Sequence, residues 1–153
     1  MAHKYTSAFY EEDPHRYALL LKALSKFNLD LPPSGIEGGT SSHIKQAEDF
    51  WRDLWERYDG PEDDNSRVAW IQDQVPRYFR SLTTLPKWIQ NPNWPFAGGK
   101  PMIFVGQLDV DVKAGNLAAQ FFHDDVSYYL FIPSLDLIDS DEFYPPRIIR
   151  QCW

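Results

Sequence analysis

WPFAGGKPMIFVGQLDVD, residues 94–111, sets a proline-framed aromatic turn and two adjacent glycines ahead of an apolar run that carries Gln107, Asp109 and Asp111. Pro86, Pro92, Pro95 and Pro101 fall within sixteen positions. Each proline restricts itself and its predecessor to extended backbone, so no long helix fits here. The run after Pro101 alternates at the period of a strand. Met102, Phe104, Gly106, Leu108, Val110 and Val112 share one face in that reading, and Ile103, Val105, Gln107, Asp109 and Asp111 share the other.

Downstream, Ala114-Gly115 and Asp124-Asp125 read as two tight turns. Pairing about the first sets Asp109 opposite Gln120, Val110 opposite Ala119 and Leu108 opposite Phe121. Pairing about the second sets Phe121 opposite Tyr128, Ala119 opposite Leu130 and Leu117 opposite Ile132. Both registers collect Leu108, Val110, Val112, Leu117, Phe121, Tyr128, Leu130 and Ile132 on one apolar face, expected to be core. Gln107, Asp109, Gln120, Phe122, Ser127, Tyr129 and Phe131 fall on the opposite face, expected to be open. Beyond an acidic loop from Ser134 to Glu142, Arg147-Ile148-Ile149-Arg150 reads as a short edge strand.

Upstream the texture is helical. Asp13-Pro14 supplies an N-cap and a first-turn proline, and Tyr17, Leu20, Leu21, Leu24 and Phe27 follow at helical spacing to about Asn28. The segment from Leu31-Pro32-Pro33 to Gly38-Gly39 can only be a loop. Ile44, Ala47, Trp51, Leu54, Trp55 and Tyr58 mark a second helix, capped by Thr40, Ser41 or Ser42 and stopped by Asp59-Gly60-Pro61. A third runs from Asp64 or Asn65 through Val68, Ile71 and Val75, with Pro76 breaking or kinking it before Tyr78, Phe79 and Leu82. The reading is therefore one α+β domain over residues 1–153. Residues 1–85 are mainly helical and pack on a mainly antiparallel sheet within residues 86–153.

Several elements resemble the YwqG-like family of bacterial proteins of unknown function: Trp94-Pro95, the run Gly99-Lys100-Pro101-Met102-Ile103-Phe104-Val105-Gly106-Gln107, and Gln120-Phe121-Phe122-His123-Asp124-Asp125. The resemblance covers about residues 86–132. Family members usually carry an earlier Gly-Gly-x-Pro element, and Gly38-Gly39-Thr40 lacks its proline. The resemblance implies no reaction. Because some members sit in bacterial toxin and immunity loci, it implies a context of protein interaction.

Composition narrows the function further. Lys and Arg total 15 against 22 Asp and Glu, a net charge of −7, which disfavours nucleic acid and anionic membranes and favours a basic partner. Residues 1–76 hold 8 basic and 14 acidic side chains, and residues 77–153 hold 7 and 8, so any electrostatic steering belongs to the N-terminal half. The alternative is that the acidity only keeps the protein soluble. The single Cys152 excludes an internal disulfide and suits a reducing, cytoplasmic setting. No stretch approaches the roughly 20 apolar residues of a membrane span.

Candidate chemistry lies on the face expected to be open. Gln107, Asp109, Gln120 and Tyr129, with Trp88 and Trp94 on the proline-rich segment, combine directional hydrogen bonding with aromatic stacking, as a small molecule or a peptide requires. The plain alternative is a solvated sheet face and packed tryptophans. Asp109, Asp111, His123, Asp124 and Asp125 are oxygen- and nitrogen-bearing but poorly juxtaposed, and no metal site, cofactor or catalytic set is assigned. Three readings follow: a non-enzymatic interaction protein of immunity type that covers a basic toxin or effector surface, a ligand-binding module using the sheet face, and a hydrolase in which a carboxylate such as Asp109 is a general base with a pKa raised by burial.

Overall fold

The computed structural model describes residues 12–31, 41–110, 125–137 and 139–152. Among the described residues three helices, α1 (Pro14–Ser25), α2 (Ser41–Glu56) and α3 (Asp64–Tyr78), precede five strands, β1 (Phe96–Ala97), β2 (Lys100–Pro101), β3 (Ile103–Val110), β4 (Val126–Ile132) and β5 (Arg147–Cys152). Strands β1 and β2 form a small hairpin, and β3, β4 and β5 form an antiparallel sheet in that order. The expected α+β architecture, helices first and sheet second, is the observed one.

Helices α1 and α3 begin where their cap chemistry places them. The Asp13 carboxylate accepts from the Arg16 backbone N–H at 3.1 Å, with Pro14 in the first turn. In α3 the Asp63 carboxylate accepts from the Ser66 N–H at 2.8 Å and from its hydroxyl at 2.7 Å. Asn28 turns the chain out of α1 with φ of 53°, a left-handed conformation that asparagine tolerates. Pro76 sits inside α3 and ends it soon after, since the helix stops at Tyr78 and does not resume toward Leu82. An ion-pair chain ties α2 to the start of α1, with Arg52 donating to Glu12 at 2.6 and 3.2 Å and Arg16 donating to the same carboxylate at 2.9 Å.

Helices and sheet share one buried cluster. The inner face of α2 contributes Ala47, Phe50, Trp51 and Leu54, α1 contributes Leu20 and Leu24, α3 contributes Val68, Ile71 and Val75, and the sheet contributes Phe104, Tyr129 and Phe131. Trp51 lies flat on Phe79, ring centroids 5.3 Å apart and planes 10° from parallel. Trp94 meets Phe79 and Phe131 edge-on, which links the helical layer to the sheet. Such offset and edge geometries suit the ring quadrupoles.

The sheet corrects the expected register. Strand β4 is flanked by β3 and β5, with Gln107 opposite Tyr129, Asp109 opposite Ser127, and Tyr128 between Leu108 and Arg150. The expected partners of β4, Leu117, Ala119 and Phe121, lie outside the described residues. The proposed Asp109–Gln120 pairing falls on residue 120, outside the described residues. A bulge at Val105 explains the face error. Phe104 pairs with Phe131 and Gly106 with Leu130, which leaves Val105 as the extra residue and moves every later side chain to the other face. Phe104 and Gln107 consequently point inward together, while Leu108 is 63% exposed. The carbonyl of the bulged Val105 accepts from the Thr83 hydroxyl at 3.2 Å, and residues 80–82 bond along the outer edge of β3.

Candidate functional site

The inward sheet face past the bulge carries Gln107, Asp109, Ser127, Tyr129 and Gln151, five polar side chains beneath the irregular segment Lys87–Asn91. Proline-rich backbone makes no ladder of its own, so its N–H and C=O groups need side-chain partners when covered. The sheet provides them. Gln107 accepts from the Lys87 N–H at 2.8 Å and donates to the Lys87 carbonyl at 3.1 Å. The Tyr129 hydroxyl donates to that carbonyl at 2.9 Å and accepts from the Ile89 N–H at 3.2 Å. Gln151 accepts from the N–H groups of Ile89 and Gln90 at 3.1 and 3.0 Å and donates to the Asn91 carbonyl at 2.9 Å.

Asp109 closes this seam. One carboxylate oxygen accepts from the Ser127 hydroxyl at 2.5 Å and from the Gln107 amide at 2.8 Å. The Ser127 bond, then the Gln107 bond, and to a lesser degree the nearby Lys87 charge hold its pKa below the usual carboxylate value. A general base for neutral pH needs the opposite shift. Tyr129 is raised, chiefly because burial penalises the phenolate.

Most of the face expected to lie open is thus covered, at Ser127, Tyr129 and Gln151, while Asp109 at its end stays exposed. Gln107, Asp109 and Tyr129 do come together, and Tyr129 is 0% exposed. Trp88 and Trp94 join the same neighbourhood from the proline-rich segment. Trp88 lies over Tyr129 at 4.6 Å and nearly parallel to Phe131 at 6.1 Å, while buried Trp94 donates its indole N–H to the Met102 carbonyl at 2.8 Å. Both tryptophans also wall an apolar recess of about 150 Å3. Gln120 is outside the described residues. Gln151, which the sequence reading passed over, bonds three backbone groups of the segment; its signal was a glutamine two positions from Ile149 in a strand whose alternate residues face inward. Among the described residues no group of His, Cys, Asp or Glu could hold a metal ion, and no helix is long and apolar enough to cross a membrane.

A second assembly occupies the turn between α2 and α3. Trp55, Tyr58 and Trp70 are half-buried there, at the outer end of the helical stripe whose inner members are core. The Arg67 guanidinium sits 4.1 Å from the Trp55 ring centroid and 4.9 Å from that of Tyr58, and Tyr58 meets Trp70 edge-on at 5.5 Å. The Tyr58 hydroxyl donates to the Pro61 carbonyl at 2.7 Å, which fixes the turn. Around these rings Glu56, Asp59 and Glu62 are exposed. Most other acids of the helical half are paired: Glu12 with Arg16 and Arg52, Asp49 with Lys45, Asp53 with Arg57, and Asp73 with Arg77. Among the described residues Glu56, Asp59 and Glu62 form no ion pair.

Aromatic anchors with a polar rim are the parts from which protein-binding hot spots are generally built. No protein-family model, curated protein or solved structure matches the chain.

Proposed function

We propose that this protein is a non-enzymatic interaction protein that covers a basic surface of a partner protein with the acidic, aromatic edge between α2 and α3. The observation that carries the reading is the contrast within the helical half. Glu56, Asp59 and Glu62 stand exposed without ion pairs among the described residues, next to half-buried Trp55, Tyr58 and Trp70, whereas neighbouring acids on α2 and α3 are neutralised internally. The excess of 14 acidic over 8 basic side chains in residues 1–76 favours the same class of partner. The resemblance to the YwqG-like family, with members in toxin and immunity loci, agrees with an immunity-type role against a basic toxin or effector.

Two other readings lose support from the geometry. Gln107 and Tyr129 already bind the protein's own backbone, and Asp109, held by the Ser127 and Gln107 side chains, is shifted away from base character. The test is affinity capture from the source cell with the wild type and with Glu56→Lys/Asp59→Lys/Glu62→Lys. A basic protein retained by the wild type and lost from the charge-reversed variant supports the proposal, and its association rate should fall with salt because exposed charges are screened beyond roughly 8 Å at physiological ionic strength. Capture that ignores the three substitutions overturns it.

A further inference from the structure

We infer that the recess walled by Trp88 and Trp94 is a binding site for a small, neutral, single-ring aromatic molecule, independently of the acidic edge. Its volume of about 150 Å3 sets the size. A dry apolar cavity of about that volume in another protein accepts benzene, whereas a helix or an extended peptide requires far more room. Its walls set the chemistry: Leu29, Val75, Pro76, Phe79, Leu85 and Pro86 join the two tryptophans, and among the described residues no charged side chain lines it. A charged ligand would lose its hydration there and gain no partner. A ring gains offset or edge contacts with rings already in place.

Those walls are held against collapse. Trp94 is tethered through its indole N–H to the Met102 carbonyl at 2.8 Å. Trp88 rests on Tyr129, whose own hydroxyl is bonded to Lys87 and Ile89. Phe79 is stacked on Trp51 at 5.3 Å, and the two prolines fix their backbone angles. Protein interiors normally fill a void of this size; here the surrounding contacts keep it formed. Leu85, 52% exposed, stands at the rim and gives the recess an edge open to solvent.

Toluene is the probe, with benzoate as its charged counterpart, titrated into the full chain while the indole N–H resonances and the melting temperature are followed. Saturable shifts of the Trp88 and Trp94 signals at millimolar toluene, with a raised Tm and at least tenfold weaker benzoate binding, are expected. Leu29→Trp and Leu85→Trp, each placing extra bulk at the recess, should weaken toluene binding by at least tenfold while the chain stays folded. Absence of saturable toluene binding, equal benzoate binding, or toluene affinity unchanged in both variants would overturn the inference.

Discussion

The Tyr129 hydroxyl, in the central strand of the sheet, donates to the Lys87 carbonyl at 2.9 Å across 42 positions of chain. Together with Gln107 and Gln151 it makes the sheet a receptor for the protein's own extended segment. The geometry is that of peptide recognition, with side-chain amides and a phenol reading out backbone groups, but donor and acceptor belong to one chain.

Removing those groups one at a time should expose an order of importance. Tyr129→Phe leaves the Lys87 carbonyl with Gln107 and the Ile89 N–H with Gln151, so its cost should be about 1 kcal/mol. Gln151→Leu strips the Gln90 N–H and the Asn91 carbonyl of the bonds described here. Because it removes two bonds outright where Tyr129→Phe leaves each backbone group a partner, and a hydrogen bond contributes about 1 kcal/mol, it should destabilise more than Tyr129→Phe. Denaturant titration of both variants checks the order; equal losses would mean that water replaces Gln151 freely.

Asp109 makes part of the stability pH-dependent. Its folded pKa lies below the ordinary aspartate value because Ser127 and Gln107 donate to the carboxylate. A depressed acid contributes stability that is complete above its unfolded pKa and disappears as pH falls through the folded value. The stability difference between wild type and Asp109→Asn should therefore be constant above about pH 5 and shrink below about pH 4. A difference that stays constant down to pH 2 would show that the carboxylate charge is not what Ser127 and Gln107 stabilise.

Much of the helical half was legible because local chemistry fixes it. Asp13-Pro14 announces its own cap, and the α2 stripe at steps of three and four is core at Trp51 and Leu54. Sheet faces were not legible for a physical reason: strand alternation has period two, and the single inserted residue at Val105 inverts it without leaving a mark in the sequence. The sequence grouped Gln107, Asp109 and Tyr129 correctly, yet whether that group faced solvent depended on where the Pro86–Asn91 segment lay, a long-range fact. Trp55 was likewise readable as a helix position but not as a half-exposed end of the stripe, whereas Tyr58, read as helical, lies past the end of α2 at Glu56.

The inverted faces have a direct mutational consequence. Phe131, fully buried against Trp94 and Phe104, should cost about 3–5 kcal/mol on replacement by alanine. Leu130, half-buried on the outer face and expected from sequence alone to be core, should cost less than half of that. Leu108→Ala, at an exposed position, should stay within about 0.5 kcal/mol. Chemical denaturation of the three variants separates the two registers, since the sequence-derived one demands the reverse order.

Two adjacent glycines in the β1–β2 turn allow backbone strain to be separated from steric overlap. Gly98 and Gly99 both have positive φ, 58° and 74°, as a two-residue hairpin turn requires. A Cβ on Gly99 would meet nothing within 4 Å, so Gly99→Ala carries only the left-handed penalty of about 1–2 kcal/mol. On Gly98 the same atom would lie 3.0 Å from both Leu137 methyl carbons and 3.2 Å from the Tyr144 ring. Gly98→Ala should therefore destabilise more than Gly99→Ala and disturb the loop that carries Leu137, visible as shifted methyl resonances. Gly99→Asn should recover part of the loss, because asparagine adopts left-handed backbone more readily than alanine. Equal losses at the two positions, or no recovery with asparagine, would mean that the turn relaxes and that neither strain nor the Leu137 contact sets its stability.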